Sequence, residues 1–385
     1  MLLLLILIWR GTLFLIALVT QIYYNFTPTF PYSDIYLVPS KLPQWIWAWA
    51  NFDGVHYLTI AKSSYSANFT QAFFPAYPIV LRFVSSAFFD SFKIITGIVL
   101  SIFFIYLALY FFIKLLRLDG FTNPQIKMAI LFTLIFPTSF FLAALYTESF
   151  FLFLEIACFY CARRNKWLLA GILGMLASAT KITGILLLPS LIWEWIIANK
   201  LLTRPLFKNY KINFIFNICK SPFLYLVPLG LLLYMTYLYI QFKDPLLFWH
   251  VQSAFGASRS SNSLIFIPQV IWRYLKILSQ NSFYHYDYWV ALVEFCSFIF
   301  AFLILVAGMK YNIRKSYLLY SWLLFLTPIF TGTFSSLPRY ILIIFPIYMI
   351  LAKIKNIYIC NFTKFIFLVL LIILTSNFIR GLWVA

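Results

Sequence analysis

The sequence predicts an all-α polytopic membrane protein with about eleven transmembrane helices, within a range of about nine to thirteen. Of the 385 residues, 63% are hydrophobic and 10% are charged, whereas soluble domains average roughly 45–50% apolar and about 25% charged residues. Apolar runs of about 20 residues recur from end to end, and each can cross a bilayer core of about 30 Å. In lipid such runs form helices, because each segment must satisfy its own backbone hydrogen bonds. We expect a single transmembrane domain over residues 1–385.

The charge of the chain is strongly basic, with 29 lysines and arginines against 10 acidic residues and a formal net charge of +19. The basic residues cluster in short loops between apolar runs, as the positive-inside rule predicts for cytoplasmic loops. We therefore expect membrane lipid, and not nucleic acid, as a partner. Attraction to anionic lipid or to a phosphorylated substrate is a second interpretation of the same charge.

The apolar runs define the predicted spans in chain order. They cover about residues 2–24, 94–114, 127–145, 147–162, 221–241, 289–309, 316–331, 339–353 and 362–380. The proline-interrupted segment 72–89 and the amphipathic segment 263–282 are not counted as secure crossings. The run 167–198 is too long for one span and carries Lys181 at its middle. We expect two short helices that meet at this lysine.

Two longer polar segments separate the predicted spans, a first outer loop at about 25–72 and a second outer loop at about 242–262. In the first loop, Trp45, Trp47 and Trp49 alternate with smaller residues. Tryptophan is favoured at membrane–water interfaces, so this pattern predicts a segment that lies at the interface.

The basic clusters set the orientation of the chain. Residues 163–166, 199–220 and 310–315 are rich in lysine and arginine, and we place them in the cytoplasm. The segments that then face outward are 25–72, 146–149, 181–184, 242–262 and 332–338. These outer segments also contain most of the unusual polar residues, which is what a single extracytoplasmic active site requires.

Asp53 and His56 lie in the first outer loop, within an aromatic sequence. The carboxylate could act as a general base toward a hydroxyl, and the imidazole could tune it or bind an anionic group. The alternative is a plain loop turn, because an Asp-Gly pair such as Asp53-Gly54 is among the commonest turn sequences.

Glu148 and Lys181 are the next candidates, each placed beside or between apolar helices. An ionisable group at membrane depth is a functional hypothesis by default, and a charge at a helix break often marks a ligand site. For Glu148 the alternative is a helix N-terminus capped by Thr147. For Lys181 the alternative is snorkelling to the interface.

The last candidates lie in the second outer loop and near the end of the chain. His250 and Gln252 follow two aromatic residues, and an aromatic belt would explain the rings but not these two polar side chains. Arg339 follows a proline and faces outward, where the positive-inside rule does not favour it. A guanidinium at the start of a helix suits a phosphate.

Motifs that are missing from the sequence narrow the chemistry further. The chain has no Walker loop, no H-E-x-x-H and no metal-ligand cluster, so we expect no metal and no cofactor. Nucleotide sugars are not available outside the membrane, which makes a lipid-linked phosphate donor the natural activated substrate.

The outer segments resemble the PIG-V family, the second mannosyltransferase of glycosylphosphatidylinositol (GPI) anchor synthesis, in a short or prokaryotic-type form. Residues 52–57 and 73–78, with Arg82 after them, resemble the family patterns W-D-x-x-x-Y and F-F-P-x-x-P. Residues 136–140 and 146–149 resemble N-P-A-S-x-F…Y-S-E-S, and residues 177–184 resemble A-T-A-T-R-S-N-G. Residues 338–340 and 345–346 resemble P-R-Y…F-P. The departures are Phe52 for tryptophan, Phe136 for asparagine and Lys181 for arginine.

The resemblance implies a GT-C glycosyltransferase fold and an inverting transfer of a hexose, in this family mannose. The donor is a polyprenyl-phosphate or dolichyl-phosphate sugar and the acceptor a lipid-linked or glycan molecule. The family's catalytic acid corresponds to Asp53. The residues we then expect to bind substrate are His56, Tyr57, Arg82, Glu148, Lys181, Gln252 and Arg339.

Two other classes of function fit parts of the sequence. A transporter or flippase of a lipid-linked or anionic solute would explain the helix break at Lys181, although transporter sites lie at the midplane and these polar residues gather on one side. A non-catalytic scaffold subunit would tolerate Asp53→Asn. We expect a multi-pass protein of a prokaryotic plasma membrane, or of the endoplasmic reticulum if the source is eukaryotic.

Overall fold

The computed structural model of the chain describes residues 1–86, 92–199, 222–255 and 265–384. These residues form α-helices joined by short 3-10 helices and loops, and none of them lies in a strand. The α-helices in chain order are α1 (Leu2–Tyr23), α2 (Ser33–Tyr36), α3 (Gln44–Trp47), α4 (Asp53–Ser63), α5 (Ala76–Ser85), α6 (Lys93–Leu118), α7 (Asn123–Ile135), α8 (Glu148–Arg163), α9 (Trp167–Ser178), α10 (Leu187–Ala198), α11 (Leu226–Phe242), α12 (Leu247–His250), α13 (Ile267–Gln280), α14 (Tyr286–Gly308), α15 (Lys315–Ile329), α16 (Leu337–Leu342), α17 (Phe345–Leu351) and α18 (Ile357–Ile379).

Five helical segments of the described residues are long and apolar enough to cross a membrane, namely α1, α6, α14, α18 and Phe223–Phe242, which contains α11. Their outward faces carry large apolar side chains, such as Leu303 at 59% exposure and Phe365 at 66%. Apolar surface of this extent is suited to lipid, because in water it would drive association. The chain is therefore a helical membrane protein with several spans. The predicted total of about eleven stays a prediction.

Two of the predicted spans are not continuous helices, because prolines interrupt them. The third predicted span consists of α7 and a 3-10 turn at Ser139–Leu142. Pro137 disfavours the α conformation for Phe136, whose φ and ψ are −54° and 140°. Pro346 opens α17 and divides the predicted span 339–353 between α16 and α17.

The long apolar run around Lys181 is divided into two helices, as predicted. α9 ends at Ser178, Lys181 has an extended backbone, and a 3-10 turn over Ile182–Leu186 leads into α10. Gly184 permits the close return of the chain, because a Cβ atom there would lie 2.3 Å from the carbonyl carbon of Ala177. The break therefore places Lys181 at the meeting point of two helices.

The alternating tryptophans pack against other parts of the protein, and their position at the membrane interface stays a prediction. Trp47 is 6% exposed and Trp49 is fully buried. The Trp49 ring packs edge-on against Phe14 of α1, and its centroid lies 4.1 Å from the guanidinium carbon of Arg10. Large aromatic rings contribute most when they are buried against other side chains. The part of the first outer loop around Trp47 and Trp49 is therefore packed into the helix bundle.

Ion pairs join the helix ends next to the basic loops. Arg163, at the end of α8, pairs with Asp119 and donates to the Tyr317 hydroxyl at 2.9 Å. Arg314, just before α15, forms a bidentate pair with Glu194 of α10 at 2.5 and 2.7 Å. We call this side of the bundle the basic end. It contains the residues predicted to be cytoplasmic at 163–166 and 310–315, whereas the predicted loop 199–220 falls almost entirely outside the described residues.

The segment 263–282 was predicted to be amphipathic, and its described part is the amphipathic helix α13. Val270 and Tyr274 are buried on one side, and Trp272 is 71% exposed on the other. The second outer loop is described only as far as residue 255, because residues 256–264 fall outside the described part of the chain.

Candidate active site

A cavity of about 690 Å³ lies at the end of the bundle opposite to the basic end. Glu148 at the start of α8 and Thr327 near the end of α15 both line it, whereas Arg163 and Lys315 mark the basic ends of the same two helices. The charged and amide side chains that line the cavity are Asp53, Glu148, Lys181, Gln252, Asp287 and Arg339. The aromatic ones are Tyr57, Phe73, Phe74, Phe248, Trp249, Phe255, Tyr340 and Trp383.

All five predicted outer segments contribute to this one cavity. Asp53 comes from the first loop, Glu148 from the start of α8, Lys181 from the helix break and Gln252 from the second loop. Segment 332–338 contributes Ser335 and Ser336, and Arg339 follows it directly in α16. Residues that are far apart in the chain are thus brought together by the helix bundle. The arrangement is the one that a single active site on one side of a membrane requires.

The backbone around Asp53 is held by hydrogen bonds from two other elements. The Asn51 side chain donates to the carbonyl of Phe378 at 2.7 Å, and the Tyr146 hydroxyl donates to the carbonyl of Asn51 at 2.9 Å. The Asp53 amide donates in turn to the Tyr146 hydroxyl at 3.2 Å. Phe52 has a positive φ of 55°, a strained conformation for a phenylalanine that surrounding contacts must maintain.

Asp53 does not belong to a simple turn, since it begins helix α4. Gly54 follows in the first turn of this helix, where a Cβ atom would lie 3.2 Å from that of Ala50. The absence of a side chain at Gly54 therefore lets the start of α4 pack closely against Ala50. The carboxylate of Asp53 projects into the cavity instead of closing an Asp-Gly turn.

Four charged residues form a cluster on the cavity wall. Arg339 Nη1 lies 2.5 Å from Asp53 Oδ2, and Lys181 Nζ lies 2.7 Å from Glu148 Oε1. Arg339 Nε also lies 3.5 Å from the same oxygen of Glu148, which links the two pairs. Two acids and two bases balance each other, so the cluster carries no net charge when all four are ionised. The second carboxylate oxygen of Glu148 has no hydrogen-bond partner among the described residues.

The two acids of the cluster differ in their access to the cavity. The side chain of Asp53 is 19% exposed, whereas that of Glu148 is 1% exposed. Glu148 begins α8, and Thr147 occupies the capping position without a side-chain capping bond. The Thr147 hydroxyl instead lies 3.4 Å from that of Tyr57, another residue of the cavity wall. Asp53 is thus the more exposed acid of the cluster, whereas the enclosed Glu148 contacts both cations.

Arg82 does not line the cavity, contrary to the expectation from the sequence. Its guanidinium donates to the carbonyls of Ala61 and Ile60 at 2.7 and 2.8 Å and to the Ser64 hydroxyl at 3.0 Å. These acceptors lie at the C-terminal end of α4, where the last helix carbonyls lack intrahelical partners. The Ile60 carbonyl also accepts from the Ser64 amide. Arg82 therefore stabilises the helix that carries Asp53.

His56 also lies beside the cavity and not in its wall. Its ring stacks on Phe73 at 4.6 Å and meets Phe255 edge-on at 5.7 Å. Burial lowers the pKa of the imidazole, and the Asp53 carboxylate opposes this shift only in part. The ring is therefore neutral near pH 7, which does not suit the predicted contact with an anionic group.

In the second outer loop, the two polar residues have different positions. Gln252 lines the cavity and donates to the carbonyl of Phe248 at 3.2 Å. His250 lies outside the lining and forms an exposed contact with Asp244 at 2.7 Å. This contact lowers the pKa of the Asp244 carboxyl. Only Gln252 is placed to meet a ligand in the cavity.

Sequence reasoning missed Asp287 and Trp383, which both line the cavity. Asp287 is one of only ten acids in the chain, and the rarity of acids could have marked it as a candidate site residue. Trp383 lies beyond the last predicted span, and no periodic pattern marked it. Among the described residues, no group of three or more histidine, cysteine, aspartate or glutamate side chains is arranged to hold a metal ion.

Comparison with known proteins adds one finding. A family model described as Mannosyltransferase (PIG-V) matches residues 1–298. No curated protein and no solved structure matches the chain. The matched residues include Asp53, Glu148, Lys181 and Gln252, whereas Arg339 and Trp383 lie beyond them.

Proposed function

Because the chain belongs to the PIG-V mannosyltransferase family, we propose that it transfers mannose from a polyprenyl-phosphate or dolichyl-phosphate donor to a lipid-linked or glycan acceptor. The observation that carries this proposal is the meeting of Asp53, Arg339, Glu148 and Lys181 in one cavity. The fold it implies is the GT-C arrangement, with about eleven spans and an active site formed by outer segments.

Asp53 is the general base of the proposed reaction. It takes the proton of an acceptor hydroxyl, and the oxygen attacks the anomeric carbon of the donor sugar. The bond between this carbon and the donor phosphate oxygen breaks, and the phosphate leaves with the electron pair. Attack comes from the face opposite the phosphate, so the anomeric configuration is inverted. The access of Asp53 to the cavity, compared with the burial of Glu148, supports this assignment.

Arg339 and Lys181 bind the leaving phosphate in this scheme. A guanidinium has five N–H donors, and in the ligand-free protein Arg339 contacts only Asp53 and Glu148 among the described charged groups. A donor phosphate that binds Arg339 competes with Asp53 for it. Binding of the donor would therefore loosen the ion pair and free the Asp53 carboxylate to accept a proton. The cations stabilise the charge that develops on the phosphate as the bond breaks.

The proposed side of the reaction follows from the two ends of the bundle. The ion pairs of Arg163 and Arg314 lie at the basic end, and the cavity lies at the other. Basic loops tend to be retained in the cytoplasm, which supports an outward-facing cavity. A polyprenyl-phosphate donor is the form of activated sugar that a membrane can supply there.

A transfer assay in detergent tests the proposal. Purified protein is incubated with labelled polyprenyl-phosphate mannose and octyl α-D-mannoside, and the product is separated and quantified. We expect labelled disaccharide without any sealed compartment, and an inverted configuration at the new linkage. Movement of the labelled lipid across sealed vesicles, with no transfer in detergent, would support the transporter instead.

A further inference from the structure

The C-terminal tail after α18 returns over the first outer loop. The amides of Thr27 and Thr29 donate to the carbonyls of Arg380 and Gly381, each at 2.8 Å. Gly381 has a φ of +84°, and a Cβ atom there would lie 2.9 Å from both Phe26 and Pro28. Only glycine fits this position without strain. The tail is thus docked on the first outer loop by the backbones of both segments.

The docked tail places the Trp383 indole in the wall of the cavity. Its ring meets that of Phe52 at a centroid distance of 5.6 Å and an angle of 77°. Phe52 directly precedes Asp53, so the indole stands beside the segment that carries the base. Trp383 is also fixed by the Tyr286 hydroxyl, which donates to its carbonyl at 2.6 Å.

Asp287 lies next to Tyr286 and shares this rim of the cavity with Trp383. Its side chain is exposed, and it forms no hydrogen bond or ion pair with the described residues. The other cavity acids are engaged, Asp53 with Arg339 and Glu148 with Lys181. Asp287 is therefore the carboxylate of the described cavity wall that is available to a ligand without breaking an existing pair.

An aromatic face beside a free carboxylate is suited to a sugar. The C–H face of a pyranose packs on an indole ring, and neighbouring hydroxyls donate to the two carboxylate oxygens. The indole N–H of Trp383 likewise forms no hydrogen bond with the described residues and can donate to a third hydroxyl. Lys181 and Arg339, the proposed phosphate-binding cations, are paired with Glu148 and not with Asp287.

We propose that Trp383 and Asp287 form the subsite that holds the acceptor sugar, a neutral pyranose with adjacent free hydroxyl groups. The subsite rests on the proposed function, because it serves the acceptor of the same reaction. A sugar stacked on Trp383 would lie beside Phe52, the residue that precedes Asp53, in the cavity that the Asp53 side chain also lines. The plainer interpretation of Asp287 is a solvated charge in the first turn of α14, favoured by the helix dipole.

Kinetics of transfer separate these interpretations. With octyl α-D-mannoside as acceptor and saturating polyprenyl-phosphate mannose, Asp287→Asn should raise the acceptor KM by about 10- to 100-fold, the range for one lost charge-assisted contact. Trp383→Ala should also raise the acceptor KM, because the ring on which the sugar packs is removed. The donor KM should stay near that of the wild type, and Trp383→Phe should recover much of the loss. Trp272→Ala, an exposed tryptophan on α13 outside the cavity, is the matched control. An unchanged acceptor KM in both variants would overturn the subsite.

A binding measurement keeps this test independent of the transfer reaction. Saturation-transfer NMR with methyl α-D-mannoside should show magnetisation reaching the pyranose C–H protons in the wild type and in Trp272→Ala, and not in Trp383→Ala. Binding that depends on Trp383, without any transfer activity, would contradict the proposed function and leave Trp383 in a sugar-binding site that is not an acceptor subsite. Transfer activity, together with magnetisation transfer to methyl α-D-mannoside that does not depend on Trp383, would contradict the subsite and support the proposed function.

Discussion

Asp53 Oδ2 and Arg339 Nη1 lie 2.5 Å apart, although 286 residues separate them in the chain. The contact joins the first outer loop to helix α16 and brings the proposed base to the proposed phosphate-binding cation. Sequence reasoning assigned these residues to different substrates and did not foresee that they pair with each other. The pairing explains how the cluster stays stable in the absence of substrate, because each charge at this depth has a partner.

Arg339→Ala should weaken binding of the donor and also slow turnover. Loss of a charge-assisted hydrogen bond of about 1.5–3 kcal/mol corresponds to roughly a 10- to 100-fold rise in Kd. Arg339→Lys should recover part of the affinity but not the planar geometry of the guanidinium. Equilibrium binding of labelled polyprenyl phosphate measures the effect, with Lys276→Ala, an exposed cation on α13, as the control. A wild-type Kd in Arg339→Ala would remove this residue from the donor site.

Glu148→Gln should destabilise the protein, because it leaves Lys181 and Arg339 with one fewer acid. Removing one partner of a buried pair costs about 3–5 kcal/mol, and we expect the lower end because Lys181 retains 14% exposure. The double variant Glu148→Gln/Lys181→Met removes both partners and should recover part of the loss. Thermal unfolding in detergent checks both. If the double variant is no more stable than Glu148→Gln, the ion pair does not have the role given to it.

Arg82→Ala should affect stability and leave the chemistry largely unchanged. The substitution removes three hydrogen bonds at the end of α4, so the Tm should fall while kcat per folded molecule stays within about twofold of the wild type. The comparison needs transfer rates and unfolding curves from the same preparation. A raised donor KM at unchanged Tm would return Arg82 to the substrate site.

His56→Phe should change how stability depends on pH. Burial lowers the pKa of His56, so the folded protein disfavours the charged ring that the unfolded chain acquires below about pH 6.5. The stabilising contribution of the neutral ring is complete above that pH and is lost as the pH falls through it. Phenylalanine can stack on Phe73 without titrating. The Tm of His56→Phe relative to the wild type should therefore be higher at pH 5.5 than at pH 7.5, and an equal difference at both values would contradict the assignment.

The outer segments of the site could be predicted because charges are rare in so apolar a chain. An ionisable group near lipid is costly unless it has a partner or a function, and the basic loops predict which side of the membrane each segment faces. Asp53, Glu148, Lys181, Gln252 and Arg339 were selected by this reasoning, and all five line the cavity. The two-helix break at Lys181 was predicted from the length of the run and the charge at its middle.

The partners within the site could not be predicted, because they depend on how distant segments pack. Arg82 has the same chemistry as Arg339 and also follows a proline motif, yet it contacts backbone carbonyls of α4. Trp383 reaches the cavity only because Gly381 adopts a positive φ that lets the tail return. Neither outcome follows from composition, periodicity or the spacing of motifs.

The most direct test of the account is the rate of mannosyl transfer by Asp53→Asn in detergent. Asparagine keeps the shape of the side chain and a contact to Arg339 but cannot accept the proton, so kcat should fall by about 10²–10⁴-fold. Binding of labelled polyprenyl phosphate should change little. Asp34→Asn makes the same chemical change at an exposed residue of the first outer loop and should transfer at the wild-type rate. A folded Asp53→Asn protein that turns over at nearly the wild-type rate would contradict the central claim and direct the search for the base to Glu148 and Asp287.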